Sequence, residues 1–287
     1  MSLVITGAAG QLGRRAAEQL LDTGADDVVL ITRRVDALSD LAARGADVRF
    51  GDFDRAETLG DAFAGATRVL LISTDAVGAR VQQHQNAIDA AKSAGASLIA
   101  YTSIPNPVPD NPAGVVSDHA ATEAALKASG VPWTFLRNGL YAEFRVPEAQ
   151  GALASGTFVH NQGDGVSAYV SREDCAAAAV AVLTGGSEHA GKAYDITGPE
   201  ALSAAALAEL YASVGGAPVA VAGVDDAAFV AGLVEHGIPE GAAQLIASFG
   251  RAIREGKLDQ LSGDVEALTG RPPRALREIL TPALSAA

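Results

Sequence analysis

The chain has 287 residues, 48% of them apolar, enough for one large domain or one domain with an appended lobe. Its formal net charge of −13 opposes phosphate backbones, and its basic residues never cluster beyond pairs such as Arg14-Arg15 and Arg33-Arg34, so neither nucleic acid nor a membrane surface is an expected partner. A lone cysteine, Cys175, excludes an internal disulfide, no apolar run approaches the ~20 residues that cross a bilayer, and Met1 to Ile5 lead straight into a glycine loop, so a cytoplasmic protein is expected.

Short aliphatic runs alternate with Ala/Leu-rich stretches of helical period, the pattern of an α/β protein with a doubly wound parallel sheet of Rossmann type. The expected strands are Leu3 to Thr6, Asp27 to Thr32, Asp47 to Phe50, Arg68 to Ser73, Ser97 to Thr102 and Trp133 to Arg137. The helices between them end at Gly24, Gly45, Gly65, Gly95 and Gly130, because glycine takes the left-handed conformation without a Cβ penalty. Beyond Arg137 the pattern loosens into short strands and helices, with a capping box Ser171-Arg172-Glu173-Asp174 ahead of Cys175, a strand near Ala193 to Ile196 returning to the sheet, and one near Val219 to Val221. This predicts a dinucleotide-binding domain over 1–156, to which 165–197 return, and a smaller substrate lobe over 198–287.

The first strand runs into Thr6-Gly7-Ala8-Ala9-Gly10-Gln11-Leu12-Gly13, and a helix opens near Gln11. Glycines permit a tight turn and close backbone approach, while free N–H groups and the helix dipole face an anion, so this loop suits a pyrophosphate. NAD-binding folds place Asp or Glu ~20 residues further on to meet the ribose 2′-OH. Here that position is Arg33, with Arg34 beside it, which favours the 2′-phosphate of NADP(H). Ligands of open α/β sheets lie beyond the carboxyl ends of the strands, which adds Gly51-Asp52-Phe53 and Ser73-Thr74-Asp75. Asp52 and Phe53 can hold the adenine, and Ser73, Thr74 and Asp75 the ribose or phosphates; loop chemistry alone also accounts for either group.

With these segments in place, the chain resembles the NmrA-like branch of atypical short-chain dehydrogenases. Gln83-His84-Gln85-Asn86, Ile99-Ala100-Tyr101-Thr102-Ser103, His119-Ala120-Ala121-Thr122-Glu123 and Arg137-Asn138-Gly139-Leu140-Tyr141 look like the type-2 NADPH:quinone oxidoreductases and triphenylmethane reductases, and Thr269-Gly270-Arg271-Pro272 extends the likeness toward the end. The resemblance implies an NADPH-dependent oxidoreductase acting on a quinone or similar conjugated aromatic acceptor, as monomer or homodimer. It adds Tyr101 and Thr102 to the cofactor contacts, brings Asn138 near the nicotinamide, and gives Tyr141 a part in shaping or hydrogen-bonding the acceptor. The Tyr-x-x-x-Lys pair usual in the superfamily is missing, since none of Tyr101, Tyr141, Tyr169, Tyr194 and Tyr211 has lysine four residues on.

On the corresponding helix, His119 and Glu123 stand at i and i+4, a spacing that allows them to hydrogen-bond. His119 is either a proton donor or a structural histidine paired with Glu123 or backbone. The rival function is a non-catalytic NADP(H) sensor of the NmrA type that docks on a regulatory partner. Histidines and Cys175 show no metal-ligand spacing, so no metal is expected.

Overall fold

In the computed structural model, which describes residues 1–285, strict alternation along the first strands separates the two faces of a sheet. In β1 (Ser2–Thr6), Leu3 and Ile5 face one layer and Val4 the other; in β2 (Val28–Thr32), Leu30 faces the first layer, and Val29 and Ile31 the second. The first layer holds α1 (Gln11–Asp22) and the short α2 (Ser39–Ala43). Beyond β3 (Asp47–Phe50), the second layer begins with α3 (Leu59–Ala62) and, after β4 (Ala66–Leu71), continues with α4 (Arg80–Ser93). After β5 (Leu98–Ser103) comes α5 (Val116–Ser129), which packs beside α4 and leads to β6 (Trp133–Asn138).

The chain then leaves the sheet for α6 (Arg145–Ser155), β7 (Thr157–His160) and β8 (Ser167–Ala168). It returns through α7 (Arg172–Gly185), whose small residues Cys175, Ala176 and Ala179 lie in the same core as Ala16 and Ala17 of α1, and enters β9 (Lys192–Ile196). The seven strands are ordered β3-β2-β1-β4-β5-β6-β9, all parallel, so the topological switch point lies between β1 and β4. All five glycines expected at helix ends have positive φ, from 75° at Gly24 and Gly65 to 101° at Gly45. Ser171 caps α7 as expected, accepting the Asp174 N–H at 3.0 Å and donating to its carboxylate at 2.7 Å.

Expected and observed strand ends agree to within two residues, and two of the differences have a visible cause. Asp27 precedes β2 in a left-handed conformation (φ 61°), and β4 ends at Leu71 rather than Ser73 because side chains take over the amides of Ile72 and Ser73.

The remaining chain forms β10 (Ala201–Leu202), α8 (Ala204–Gly215), β11 (Ala220–Gly223), α9 (Asp226–Glu235), α10 (Glu240–Arg254), α11 (Asp264–Thr269) and α12 (Leu276–Ser285). Packing does not follow a cut at residue 198. α6 and β7 join α8 and α12 around Ala149, Phe158, Leu207, Tyr211 and Leu280, with β11 pairing to β7, whereas α11 packs back on α7 and β9. A further cluster sets Ala252 and Ile253 of α10 against Ile104, Val115 and Val116, which flank the long loop after β5. Leu140 touches both lobe clusters, so the segment leaving β6 forms the seam between sheet and lobe. No helix among the described residues is long and apolar enough to cross a membrane.

Candidate active site

The glycine loop is shaped by backbone conformation at Gly7 and by close contacts at Gly10 and Gly13. Gly7 is left-handed (φ 59°), Gly10 N–H donates back to the Gly7 carbonyl at 2.9 Å, and a Cβ on Gly13 would lie 2.8 Å from Ala8 Cα. Ala8 N–H ties the loop to the Ile31 carbonyl of β2, and Thr6 Oγ1 donates to Leu70 O while accepting from Ile72 N–H, locking β1 to β4. No side chain caps α1, and its first turn has no acidic residue, so its opening N–H groups remain available to an anion. Gln11 is exposed at the loop, whereas Leu12 turns into the core.

At the tip of β2, Arg33 is exposed and makes no hydrogen bond or ion pair among the described residues. Arg34 reaches back to the Ala9 carbonyl (3.0 Å), a tie between strand tip and glycine loop that the sequence did not reveal. Beyond β3, the Asp52 carboxylate accepts the Asp54 N–H (3.2 Å) in a local turn, and Phe53 is half-buried against the second layer with its carbonyl bonded to Asn86. Gly51 lets this segment approach β2 and α3: a Cβ there would come within 2.5 Å of Ile31 Cγ2 and 3.1 Å of Ala62 Cβ. Ser73 and Thr74 are half-buried and Asp75 exposed at the end of β4, with Ser73 N–H donating to Thr102 Oγ1 (2.9 Å).

Tyr101 departs from its expected place at the cofactor. Its ring is fully buried in the second layer between His84 and His119, and its hydroxyl meets His119 Nδ1 at 2.8 Å. The expected His119 to Glu123 pair is absent. His119 Nε2 faces the Arg80 guanidinium (3.3 Å), which fixes the ring proton on Nδ1; burial and that guanidinium hold His119 neutral, its pKa pushed down to about 3. Glu123 binds Arg137 instead, at 3.1 Å to Nε and 2.9 Å to Nη2, and accepts from the Ser103 hydroxyl at 2.8 Å. Ser103 and Arg137 are cross-strand neighbours, and a guanidinium gives a charge-assisted pair that a neutral imidazole does not.

Asn138 ends β6 with its side chain buried. Its Nδ2 lies 3.4 Å from the Tyr141 hydroxyl, while Oδ1 has no partner. Gly139 follows because a Cβ there would press on the Ala168 and Ile196 carbonyls at 3.0 and 3.3 Å. Burial raises the Tyr141 hydroxyl pKa well above its ordinary value, so it stays protonated. Arg172 stacks on Tyr141 (4.4 Å to the ring centre) and on the exposed Phe144 (4.7 Å), with Glu143 as its ion-pair partner at 3.3 Å. Glycine loop, Ser73, Thr102 and Asn138 thus line up along the carboxyl ends of β1, β4, β5 and β6.

Residues 7–185, which include this edge, match the model of a family described as NAD(P)H-binding. The chain belongs to the NAD(P)H-binding family. This NAD(P)H-binding protein is 38% identical over 277 residues to quinone oxidoreductase 2 of Escherichia coli (strain K12), covering 96% of each chain. The crystal structure of an NADPH-dependent quinone oxidoreductase from Escherichia coli complexed with NADPH superposes with a TM-score of 0.93 at 37% identity, over 97% of this chain and 98% of that one. Triphenylmethane reductase from Citrobacter sp., complexed with NADP(H), gives 0.92 at 34% identity over 98% and 100%.

The site fits that dinucleotide on its own features. Its loop has room only for glycine at Gly13, its helix start is uncapped, and among the described residues Arg33 is an unpaired guanidinium at the strand-two tip and Asn138 Oδ1 a buried acceptor without a donor.

Proposed function

We propose that this protein is an NADPH-dependent oxidoreductase that transfers hydride to a quinone or a similarly conjugated aromatic acceptor, without a Tyr-x-x-x-Lys pair. In this reading the first-turn amides of α1 hold the diphosphate, Arg33 the 2′-phosphate, and Ser73, Thr74 and Thr102 line the path to the nicotinamide end. NADPH, when bound, supplies the hydride. An electron-poor acceptor spreads the charge it gains over its own oxygens, so the protein must orient two rings, exclude water and donate hydrogen bonds rather than pass on a proton of its own.

The observation that carries this reading is the end of β6. Asn138 offers an unpartnered amide oxygen to orient the nicotinamide carboxamide, and Tyr141 beside it offers a hydroxyl that burial keeps protonated. His119, neutral and enclosed by Arg80 and Tyr101, acts as a prop for the strand end rather than as an acid. The acceptor lies under the lobe, near Leu140, Tyr141 and Phe144. Similarity to a quinone oxidoreductase and a triphenylmethane reductase supports the acceptor class.

The test follows NADPH consumption at the nicotinamide absorbance band with a panel of quinones, dyes and enones. Neutral quinones are expected to be reduced, and Asn138→Ala to cut kcat by about a hundredfold, at the low end of what losing one oriented polar group costs. NADPH bound tightly with no acceptor consumed would overturn the assignment.

A further inference from the structure

The loop between β4 and α4 is held by side chains rather than by a strand ladder. Ile72 N–H donates to Thr6 Oγ1 (3.0 Å), Ser73 N–H to Thr102 Oγ1 (2.9 Å), Thr74 N–H to His84 Nε2 (3.1 Å) and Gly78 N–H to Asp118 Oδ2 (3.0 Å). These four acceptors come from β1, β5, α4 and α5. The loop starts beside the glycine loop, where a Cβ on Gly7 would lie 3.6 Å from Ile72 Cβ, so its course sets one wall of the cofactor crevice.

Behind that wall the facing stripes of α4 and α5 change character along their length. Farther along they bury Ala87, Ile88, Ala91 and Leu126, but in their opening turns they bury Arg80, Gln83, His84, Asp118, His119 and Thr122. Polar groups in such a place must be matched, and their bonds run in one direction. His84 accepts at Nε2, so its proton sits on Nδ1; that proton goes to Thr122 Oγ1 (2.9 Å), and the Thr122 hydroxyl donates to the Asp118 carbonyl (2.8 Å). The other tautomer would set an N–H against the Thr74 N–H. Gln83 holds the same residue by its side chain, accepting from Thr74 Oγ1 (2.6 Å) and donating to Asp54 (2.8 Å).

We infer that His84 is a positioning residue for the dinucleotide: by accepting the Thr74 amide proton, with its tautomer set by Thr122, it fixes the β4–α4 loop against which the nicotinamide half of the cofactor lies. This inference rests on the cofactor site described above. His84 itself touches no ligand.

Deuterium exchange in the cofactor-free protein reads the loop, and fluorescence titration with NADPH reads the site. His84→Leu is expected to speed exchange across 72–78 and to raise the NADPH Kd about tenfold, equivalent to ~1.4 kcal/mol. His84→Gln, which keeps an acceptor in the Nε2 position, is expected to recover most of both. Thr122→Val is nearly isosteric and lies behind the loop; it removes the partner that sets the tautomer, together with that hydroxyl's bond to the Asp118 carbonyl, and is expected to move both readings the same way by a smaller factor, even where His84→Leu fails to fold. A loosened loop with wild-type affinity overturns the inference, as do unchanged readings in Thr122→Val or a Gln variant as impaired as the Leu one. Wild-type protein that does not bind NADPH overturns the cofactor reading along with it, a result distinct from any variant-specific one.

Discussion

Mild acid should destabilise this protein more than its carboxylates alone explain, because two histidines are buried in neutral form. His84 and His119 are each pushed down to about 3, first by burial and then by the Arg80 guanidinium, with His84 a further cause at His119; the Tyr101 ring lies between them, and Asp118 and Glu123 share the helix of His119. In the unfolded chain both titrate near ~6.5. A group whose pKa is lower in the folded state gives stability that is fully present above its unfolded pKa and is lost as pH falls, here from about 6.5 toward 3. At pH 5 the unfolded histidines lie about 1.5 pH units below their pKa, so each contributes ~2 kcal/mol less than at pH 7, ~4 kcal/mol together. That is a large share of the roughly 5–15 kcal/mol that holds a domain folded. Asp195 works in the opposite direction, since burial raises its carboxyl pKa and lowering pH favours its protonated form in the fold. The assay is therefore a difference: urea unfolding at pH 7, 6 and 5 for the wild type and for His84→Gln with His119→Gln. The wild type should lose ~4 kcal/mol more than the double variant between pH 7 and 5. Parallel pH profiles would refute the claim that these imidazoles are neutral in the fold.

Arg33→Ala should raise the NADPH Kd ten- to a hundredfold, as expected for a charge-assisted bond of roughly 1.5–3 kcal/mol, and leave NADH binding unchanged; equal loss of both would remove Arg33 from the 2′-phosphate site. Gly13→Ala sets a methyl 2.8 Å from Ala8 Cα, so titration should show NADPH binding weakened at least about tenfold and calorimetry a lower Tm, with overpacking costing roughly 1–3 kcal/mol. Glu123→Ala strands the Arg137 guanidinium and should cost about 3–5 kcal/mol in urea unfolding. A loss confined to a few tenths would mean that this ion pair contributes little.

Much of the sheet was legible because its signals are local. Alternation in Leu3-Val4-Ile5 and Val29-Leu30-Ile31 follows from burial on both faces, and the helix-ending glycines report a backbone conformation that few other residues adopt. The region behind the site was not legible for the opposite reason. Periodicity is read from apolar residues, whereas the buried stripes of α4 and α5 begin with Arg80, Gln83, His84, Asp118 and Thr122, which by composition belong at the surface. Spacing along one helix also misdirected the pairing of Glu123, because it ranks neighbours in sequence and is blind to Ser103 and Arg137, which the sheet register places side by side. Likewise β7 and β11 are parallel partners more than sixty residues apart, a pairing no local pattern announces.

Charge is distributed unevenly along the site, and this divides the work of recognition. Around the glycine loop, Arg14 pairs with Glu18 and Asp40, but Arg15, Arg33 and Arg34 have no carboxylate partner among the described residues, although the chain carries a net charge of −13. At the other end every nearby guanidinium is compensated: Arg137 by Glu123, Arg145 by Glu148 and Arg172 by Glu143. In the proposed reading, selection for an anion is therefore concentrated at the glycine-loop end, where the loop and α1 add their amides. Around Asn138 and Tyr141 the protein offers neutral donors, an unpaired amide oxygen and aromatic surface, with Phe144 58% exposed beside the Arg172 stack. If the acceptor binds there as proposed, it is held by ring contact and burial rather than by ion pairing, which sets planarity above any charged handle as what it must bring.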